Sequence, residues 1–302
     1  MAVENNFSVG IIGPGKTGLA LAQSFLKRGN LAWILCRNED QRVKIFHQGF
    51  STAIAKFPII IPDVIFITVR DSQIKNVVDQ LLKVYETSYN KNLFKNTIFI
   101  HCSGALRRDI FQELESISAG TAAAHPYQTI SRPSEDFLKG IAWGVEADMK
   151  LHEKISEIVV TLHGKPYFLS TETLLKKELY HISAVAASNF LAAAIASARD
   201  FAAAAGISEE SFLPAIIKTA TNNSLQSISN NNRFPLTGPI ARGDLATVER
   251  HITALQSHNT LLKEYAYFSL ATAEVAFKSG MISGDDFNSL QKLLHHHVYK
   301  TQ

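Results

Sequence analysis

The 302-residue chain is 46% hydrophobic and 19% charged, with 16 Gly, 9 Pro and 2 Cys, a globular composition that excludes disordered, collagen-like and disulfide-stapled classes. Thirty Lys and Arg against 27 Asp and Glu leave +3 with no clustered basic stripe, so nucleic acid is not expected as a partner. Cys36 and Cys102 each close an apolar run, as free buried thiols do; neither a disulfide nor a metal site is implied, and a reducing cytoplasm is expected.

The opening MAVENNFSVGIIG lacks the basic region, apolar stretch and cleavage site of a signal peptide and reads as structure. From Phe7 to about Leu169, short apolar runs alternate with amphipathic stretches. The runs are Phe7 to Ile12, Ala32 to Cys36, Val64 to Val69, Thr97 to Cys102 and Ile141 to Val145, with shorter ones at Thr52 to Ile54, Thr121 to Ala124 and Pro166 to Leu169. Their nearly continuous apolar character predicts strands covered on both faces, an α/β domain with a doubly wound parallel Rossmann sheet over 1–169. Beyond Leu169 the pattern is helical, and 170–302 is expected to be an all-α substrate and dimerisation domain.

A single long helix is predicted from about Thr173 to Ala205, where neither Gly nor Pro intervenes. Its segment Leu179 to Ala198 is free of charge and long enough to span a membrane, but it is mostly Ala with several polar residues, so it reads as a buried soluble helix and no membrane partner is expected. Small side chains allow close helix approach, which suggests a homodimer formed through this helix. Further helices are predicted over Ser208 to Ser229, Asp244 to Ser257, Asn259 to Ser279 and Asp285 to Val298, with Ser208 and Asp244 as N-caps. The irregular stretch Asn230 to Pro239 is long enough to suggest a functional loop.

Gly13-Pro14-Gly15-Lys16-Thr17-Gly18 follows the first strand and opens a helix, the setting in which G-x-G-x-x-G binds a dinucleotide. Gly13 makes the turn, Gly15 admits the pyrophosphate, Gly18 permits close helix packing, and the first helical amides bind the anion. Arg37 stands after the second strand, where NAD-preferring folds place an acid; its guanidinium suits a 2′-phosphate, with Asn38 and Arg42 as helpers, so NADP is the expected cofactor. Glu39 and Asp40 keep NAD open. Val69 and Arg70 end the next strand on the cofactor side, although Arg70-Asp71 reads equally as a solvated pair.

His101-Cys102-Ser103-Gly104 falls where a nicotinamide would end, with Gly104 assigned to the cofactor and His101 and Ser103 to catalysis. His125 ends another apolar run and suits proton donation as hydride arrives; a hydrogen-bonded structural role for either histidine is the competing reading. His181, Ser188 and Asn189 interrupt the Ala-rich helix and require partners. Arg242 is read as the contact for an anionic substrate, with His251 beside it, and Asp244 as either substrate ligand or N-cap.

Together, Gly13 to Gly18, His101-x-Ser103-Gly104, His125-Pro126, Tyr180-His181 with Ser188-Asn189, and Leu236 to Asp244 with His251 resemble a bacterial family that joins a Rossmann-like domain to a helical domain of unknown function. More distantly the chain is similar to pyrroline-5-carboxylate reductases, ketopantoate reductases and 6-phosphogluconate and hydroxyisobutyrate dehydrogenases. The resemblance implies an NADP-binding domain, a helical dimerisation domain and a cleft between them. The hydroxyacid dehydrogenases and ketopantoate reductases carry a catalytic Lys four residues before an Asn; counting back from Asn189 gives Val185, so His181 or His101 would have to supply the proton. The expected function is NADP-dependent hydride transfer to a small carbonyl or imine compound. A dinucleotide-binding sensor without catalysis is the alternative.

Overall fold

The computed structural model describes residues 7–230 and 235–299. Residues 231–234 of the predicted functional loop lie outside them. The chain divides into two compact units, 1–186 and 187–302.

In the first unit the strands are β1 (Val9–Ile12), β2 (Leu31–Leu35), β3 (Ala53–Ile54), β4 (Val64–Ile67), β5 (Ile98–His101), β6 (Gly120–Pro126), β7 (Ala142–Ala147) and β8 (Lys165–Phe168). The helices between and after them are α1 (Lys16–Lys27), α2 (Glu39–His47), α3 (Asp71–Thr87), α4 (Gln112–Glu115), α5 (His152–Thr161), α6 (Thr171–Leu175) and α7 (Lys177–Val185). The strands form one sheet in the order β3-β2-β1-β4-β5-β6-β7-β8. Every neighbouring pair is parallel except β6 with β7, where His125 faces Gly144 and Ala123 faces Glu146. The doubly wound sheet is therefore mostly parallel, with one antiparallel pairing.

Successive side chains of a strand point to opposite faces, and this alternation builds two cores. Ile11, Ile34, Phe66 and Ile100 pack with α1 and α5 on one face through Phe25 and Ile155. Ile12, Ile65, Ile67 and Phe99 pack on the other against Ile74 and Val78 of α3 and Leu114 of α4. Each fully buried Phe or Ile contributes about 2 kcal/mol of transfer free energy. Chain order reverses between β1 and β4, which opens a crevice at the carboxyl ends of these strands.

The predicted long helix is broken. Lys176 (φ −120°, ψ 33°) separates α6 from α7, and a π-helical turn at Ala186–Phe190 separates α7 from α8 (Leu191–Ala204). Helices α6 and α7 belong to the first compact unit, and the division between units falls inside the π-helical turn, where extra carbonyl spacing is often tied to function. The expectation of a buried helix is corrected as well. Lys177–Ala204 is long and apolar enough to cross a membrane, yet only Lys177, Ser197 and Ala202 along it are buried, while Phe190, Leu191 and Ile195 are exposed.

The second unit continues with α9 (Glu209–Asn230), α10 (Leu245–Ala254), α11 (Asn259–Lys278) and α12 (Gly284–Tyr299). Its core joins Val248 and Ile252 of α10 to Ala266, Ala273 and Ala276 of α11 and Leu290 and Leu294 of α12. Ser208 and Asp244 act as the expected N-caps: Ser208 Oγ accepts from the Ser211 amide and Asp244 Oδ1 from the Thr247 amide.

Candidate active site

The crevice between β1 and β4 holds a cavity of about 760 Å³ lined by Gly13, Pro14, Gly15, Arg37, Val69 and Arg70 among others. Gly13 has φ +103°, a left-handed conformation that disfavours any side chain, and a Cβ there would lie 2.9 Å from the Val69 amide nitrogen. A Cβ on Gly18 would strike the Gly13 carbonyl oxygen, so the third glycine lets α1 start tight against the turn. Thr68, which sequence reasoning missed, locks this turn by donating its hydroxyl to the Gly13 carbonyl at 2.6 Å. At Gly15 the nearest atom to a built Cβ is 3.9 Å away, so the turn leaves room for a ligand above it. Lys16 and Thr17 form the first turn of α1, with Gly15 as its N-cap.

Arg37 lines the same cavity, and among the described residues its guanidinium makes no ion pair. Its amide donates to Gln41 Oε1 at 2.9 Å. Asn38 caps α2, and Arg42 Nε donates to Glu39 at 2.6 Å, which holds the Glu39 carboxyl below its usual range. Glu39 is thus engaged by Arg42. A second cavity of about 510 Å³ that shares Ala55 with the first is lined by Asn38, Arg42 and Lys56.

The other strand ends form a polar cluster. The fully buried His101 ring accepts from the Ser103 amide at Nδ1 (3.2 Å) and donates from Nε2 to the Arg107 carbonyl (3.2 Å). Both nitrogens are committed to backbone, and burial, with the Lys177 charge behind it, pushes the imidazole pKa down to about 4. Ser103 donates to Asp71 Oδ2 at 2.7 Å and accepts from the amides of Ala105 and Leu106. These contacts engage both ring nitrogens of His101 and the Ser103 hydroxyl, and they shape the loop after β5. They also give Asp71 a partner in Ser103.

Gly104 lies beneath two imidazoles. A Cβ there would sit 2.5 Å from His181 Nδ1 and 2.9 Å from His125 Nε2. His125 Nδ1 is 2.9 Å from the Tyr180 hydroxyl, whose pKa burial raises; with the phenol as donor, the His125 proton resides on Nε2. Burial first, then the neighbouring His181 ring, pushes the His125 pKa down to about 4. Ser183 donates to the Tyr180 carbonyl and therefore accepts from Tyr127, whose oxygen is 2.6 Å away. His181 Nδ1 is buried and has no hydrogen-bond partner among the described residues.

Ser188 and Asn189 lie in the π-helical turn, where Ser188 donates to Asn189 Oδ1 at 3.0 Å. In the second unit both Asp244 carboxylate oxygens serve Thr247, so capping is the role its geometry displays. His251 Nδ1 faces the Tyr265 hydroxyl at 2.9 Å, and Arg242 is exposed. Sequence reasoning overlooked Lys177, Glu146 and Tyr127, and noted Tyr180 only as the neighbour of His181.

Residues 8–92 match a family model described as NADP oxidoreductase, coenzyme F420-dependent, and residues 141–274 match a domain of unknown function, DUF2520, which takes in β7 and β8 as well as helices. No curated protein matches. Among solved structures, BF3122 from Bacteroides fragilis, assigned as an NADP oxidoreductase, is 18% identical with TM-score 0.70, covering 90% of this chain and 100% of that one. Protein TM1727 from Thermotoga maritima is 24% identical with TM-score 0.63, covering 89% and 99%. An imine reductase from Streptomyces aurantiacus is 15% identical with TM-score 0.57, covering 95% and 99%. The glycine turn with its room for a ligand lies in the segment that the NADP oxidoreductase model matches: the chain joins a Rossmann-like, NADP oxidoreductase-like segment to a domain of unknown function.

Proposed function

We propose that the chain is an oxidoreductase that reduces a small carbonyl or imine compound, with His125, Tyr180 and His181 facing the reacting group. The observation that carries the reading is His181 Nδ1, a buried polar nitrogen beside Gly104 and the His125 ring with no partner among the described residues. A buried polar atom costs about 1–3 kcal/mol when unsatisfied, so a site that keeps one is built to pair it with a ligand. When bound, NADPH would supply the hydride; Gly13, Gly15 and the first turn of α1 would hold its diphosphate and Arg37 its 2′-phosphate.

The residues of the cluster handle the proton. Nε2 of neutral His125 carries a hydrogen toward the Gly104 side and donates it to the oxygen or nitrogen of the C=O or C=N bond as the carbon accepts hydride. As Nε2 gives up its hydrogen, Tyr180 passes its hydroxyl proton to Nδ1 and takes one up from solvent, so neither the imidazole nor the phenol is left as an anion. His181 Nδ1, as an acceptor, orients an N–H or O–H of the substrate. An imine suits this arrangement, because a protonated C=N already carries the charge that draws hydride and no lysine is needed at Val185.

A panel of small cyclic imines and ketones, assayed by loss of NADPH absorbance, tests this. At least one imine should be turned over, and His181→Ala should lower kcat/KM for it by about tenfold or more, a loss of about 1.4 kcal/mol or more of transition-state binding. NADPH binding with no turnover on the panel, and no effect of His181→Ala on any bound compound, would favour a sensor. We also infer that the chain pairs with a second copy through its helical unit, supported by the exposed Leu191, Ile195, Phe212, Ile216 and Ile228.

A further inference from the structure

The mechanism above leaves one ionic group unused. Lys177 is the only buried side chain of α7, and it sits in the first unit with its Nζ 3.1 Å from Glu146 Oε2 on β7. Glu146 is saturated by further partners: the Arg108 amide donates to Oε2 at 3.0 Å, and Arg107 donates from Nε and Nη2 to Oε1 at 3.3 Å. Arg107 in turn presents its carbonyl to His101. A continuous hydrogen-bonded path thus runs from the loop after β5, across β7, to the first turn of α7.

Residues three and four apart share a helix face, and Lys177, Tyr180 and His181 are so spaced. On that face Tyr180 reaches over Gly144, where any Cβ would strike its hydroxyl, and His181 reaches over Gly104. We propose that Lys177, held by Glu146, is the positioning residue that seats α7 on β7 and so sets Tyr180 and His181 against His125. The proposal rests on the reading of His125, Tyr180 and His181 as the substrate-facing group.

The ammonium does more than pin the helix. Its charge is directed at His101 on β5 and His125 on β6, and it disfavours a second positive charge on either ring. The other titratable groups around these rings are Glu146 on β7, Asp71 at the start of α3, His181 on α7 and, for His125, the His101 ring, while Arg107 and Asp109 face Lys177 itself. A neutral side chain at 177 would fill the same space and remove that repulsion, leaving burial as the main cause that keeps the imidazoles neutral.

Ring resonances of ¹⁵N-histidine-labelled protein, titrated with acid, separate this from a plain structural ion pair. Lys177→Gln keeps a donor for Glu146 and removes the charge; the His125 midpoint should rise by about one pH unit, and the signature of its bond to Tyr180 should weaken. Lys177→Arg keeps the charge and should leave the midpoint where it is. Equal midpoints in the wild type and Lys177→Gln, even with a lowered Tm, would overturn the proposal, as would a shift of the same size in Lys177→Arg. NADPH plus an imine that leaves the His181 ring signals of the wild type unmoved would instead count against the functional reading, whatever Lys177 does.

Discussion

At Gly104 the absence of a side chain is a condition for the whole cluster, since the two imidazoles occupy the space a methyl group would take. Gly104→Ala must push His181 and His125 aside, and turnover on an accepted imine should fall by about tenfold or more. NADPH affinity should change much less, because the cofactor cradle at Gly13 to Gly18 is built by other residues; a fluorescence titration alongside the kinetics separates the two effects. Arg37 lines the cavity beside the glycine turn. A guanidinium pairing with a 2′-phosphate contributes about 1.5–3 kcal/mol, so Arg37→Ala should weaken NADPH binding about ten- to hundredfold and NADH binding far less. Equal affinity of the unmutated protein for both cofactors, by calorimetry, would remove Arg37 from the site.

Elements differ in how much of themselves they write into the sequence. All eight strands were legible, because apolar runs such as Val64 to Ile67 need both faces covered; the antiparallel sense of β7 was not, because periodicity carries no direction. The division of the predicted long helix by Lys176 and the π-helical turn was also invisible, since neither Gly nor Pro marks it. Of the site, the glycine turn and the strand-end histidines could be read as residue types at strand ends. Their division of labour could not: His101 and His125 look alike until the partners of each ring nitrogen are known. Lys177 was hidden because a lysine on a helix reads as solvated, and its ion pair with Glu146, 31 positions away, makes its burial tolerable. At the short turn before α10, Arg242 is exposed and precedes Gly243, whose φ of +66° places the chain in a left-handed conformation that closes the turn. If this guanidinium holds an anionic group of the substrate, Arg242→Lys should raise KM with little change in Tm or NADPH affinity. A drop of several degrees in Tm without a kinetic effect would make Arg242 a structural clamp.

For the molecule as a whole, the buried histidines tie stability to pH. His101 and His125 are both pushed down to about 4 in the folded first unit, against an ordinary value near 6.5. Between those values the unfolded chain binds protons that the folded chain refuses, so stability is fully present above about pH 6.5 and is lost as pH falls toward 4, by up to about 1.4 kcal/mol per unit for each ring. Urea midpoints should therefore fall steadily over that window and level off below it, and His101→Gln should flatten the slope by about one proton. The helical unit faces a different constraint, for Phe212, Ile216 and Ile228 of α9 and Leu191 and Ile195 of α8 leave apolar side chains exposed in a single chain. Burial by a second copy removes that surface at about 25 cal/mol per Å², which favours association. Light scattering at micromolar concentration should give twice the mass of 33.3 kDa, and Ile216→Glu should shift the protein toward that single-chain mass while leaving the NADPH site of the first unit intact. A monomer that scatters as 33.3 kDa before any substitution would instead leave the apolar faces of α8 and α9 without a second copy to cover them.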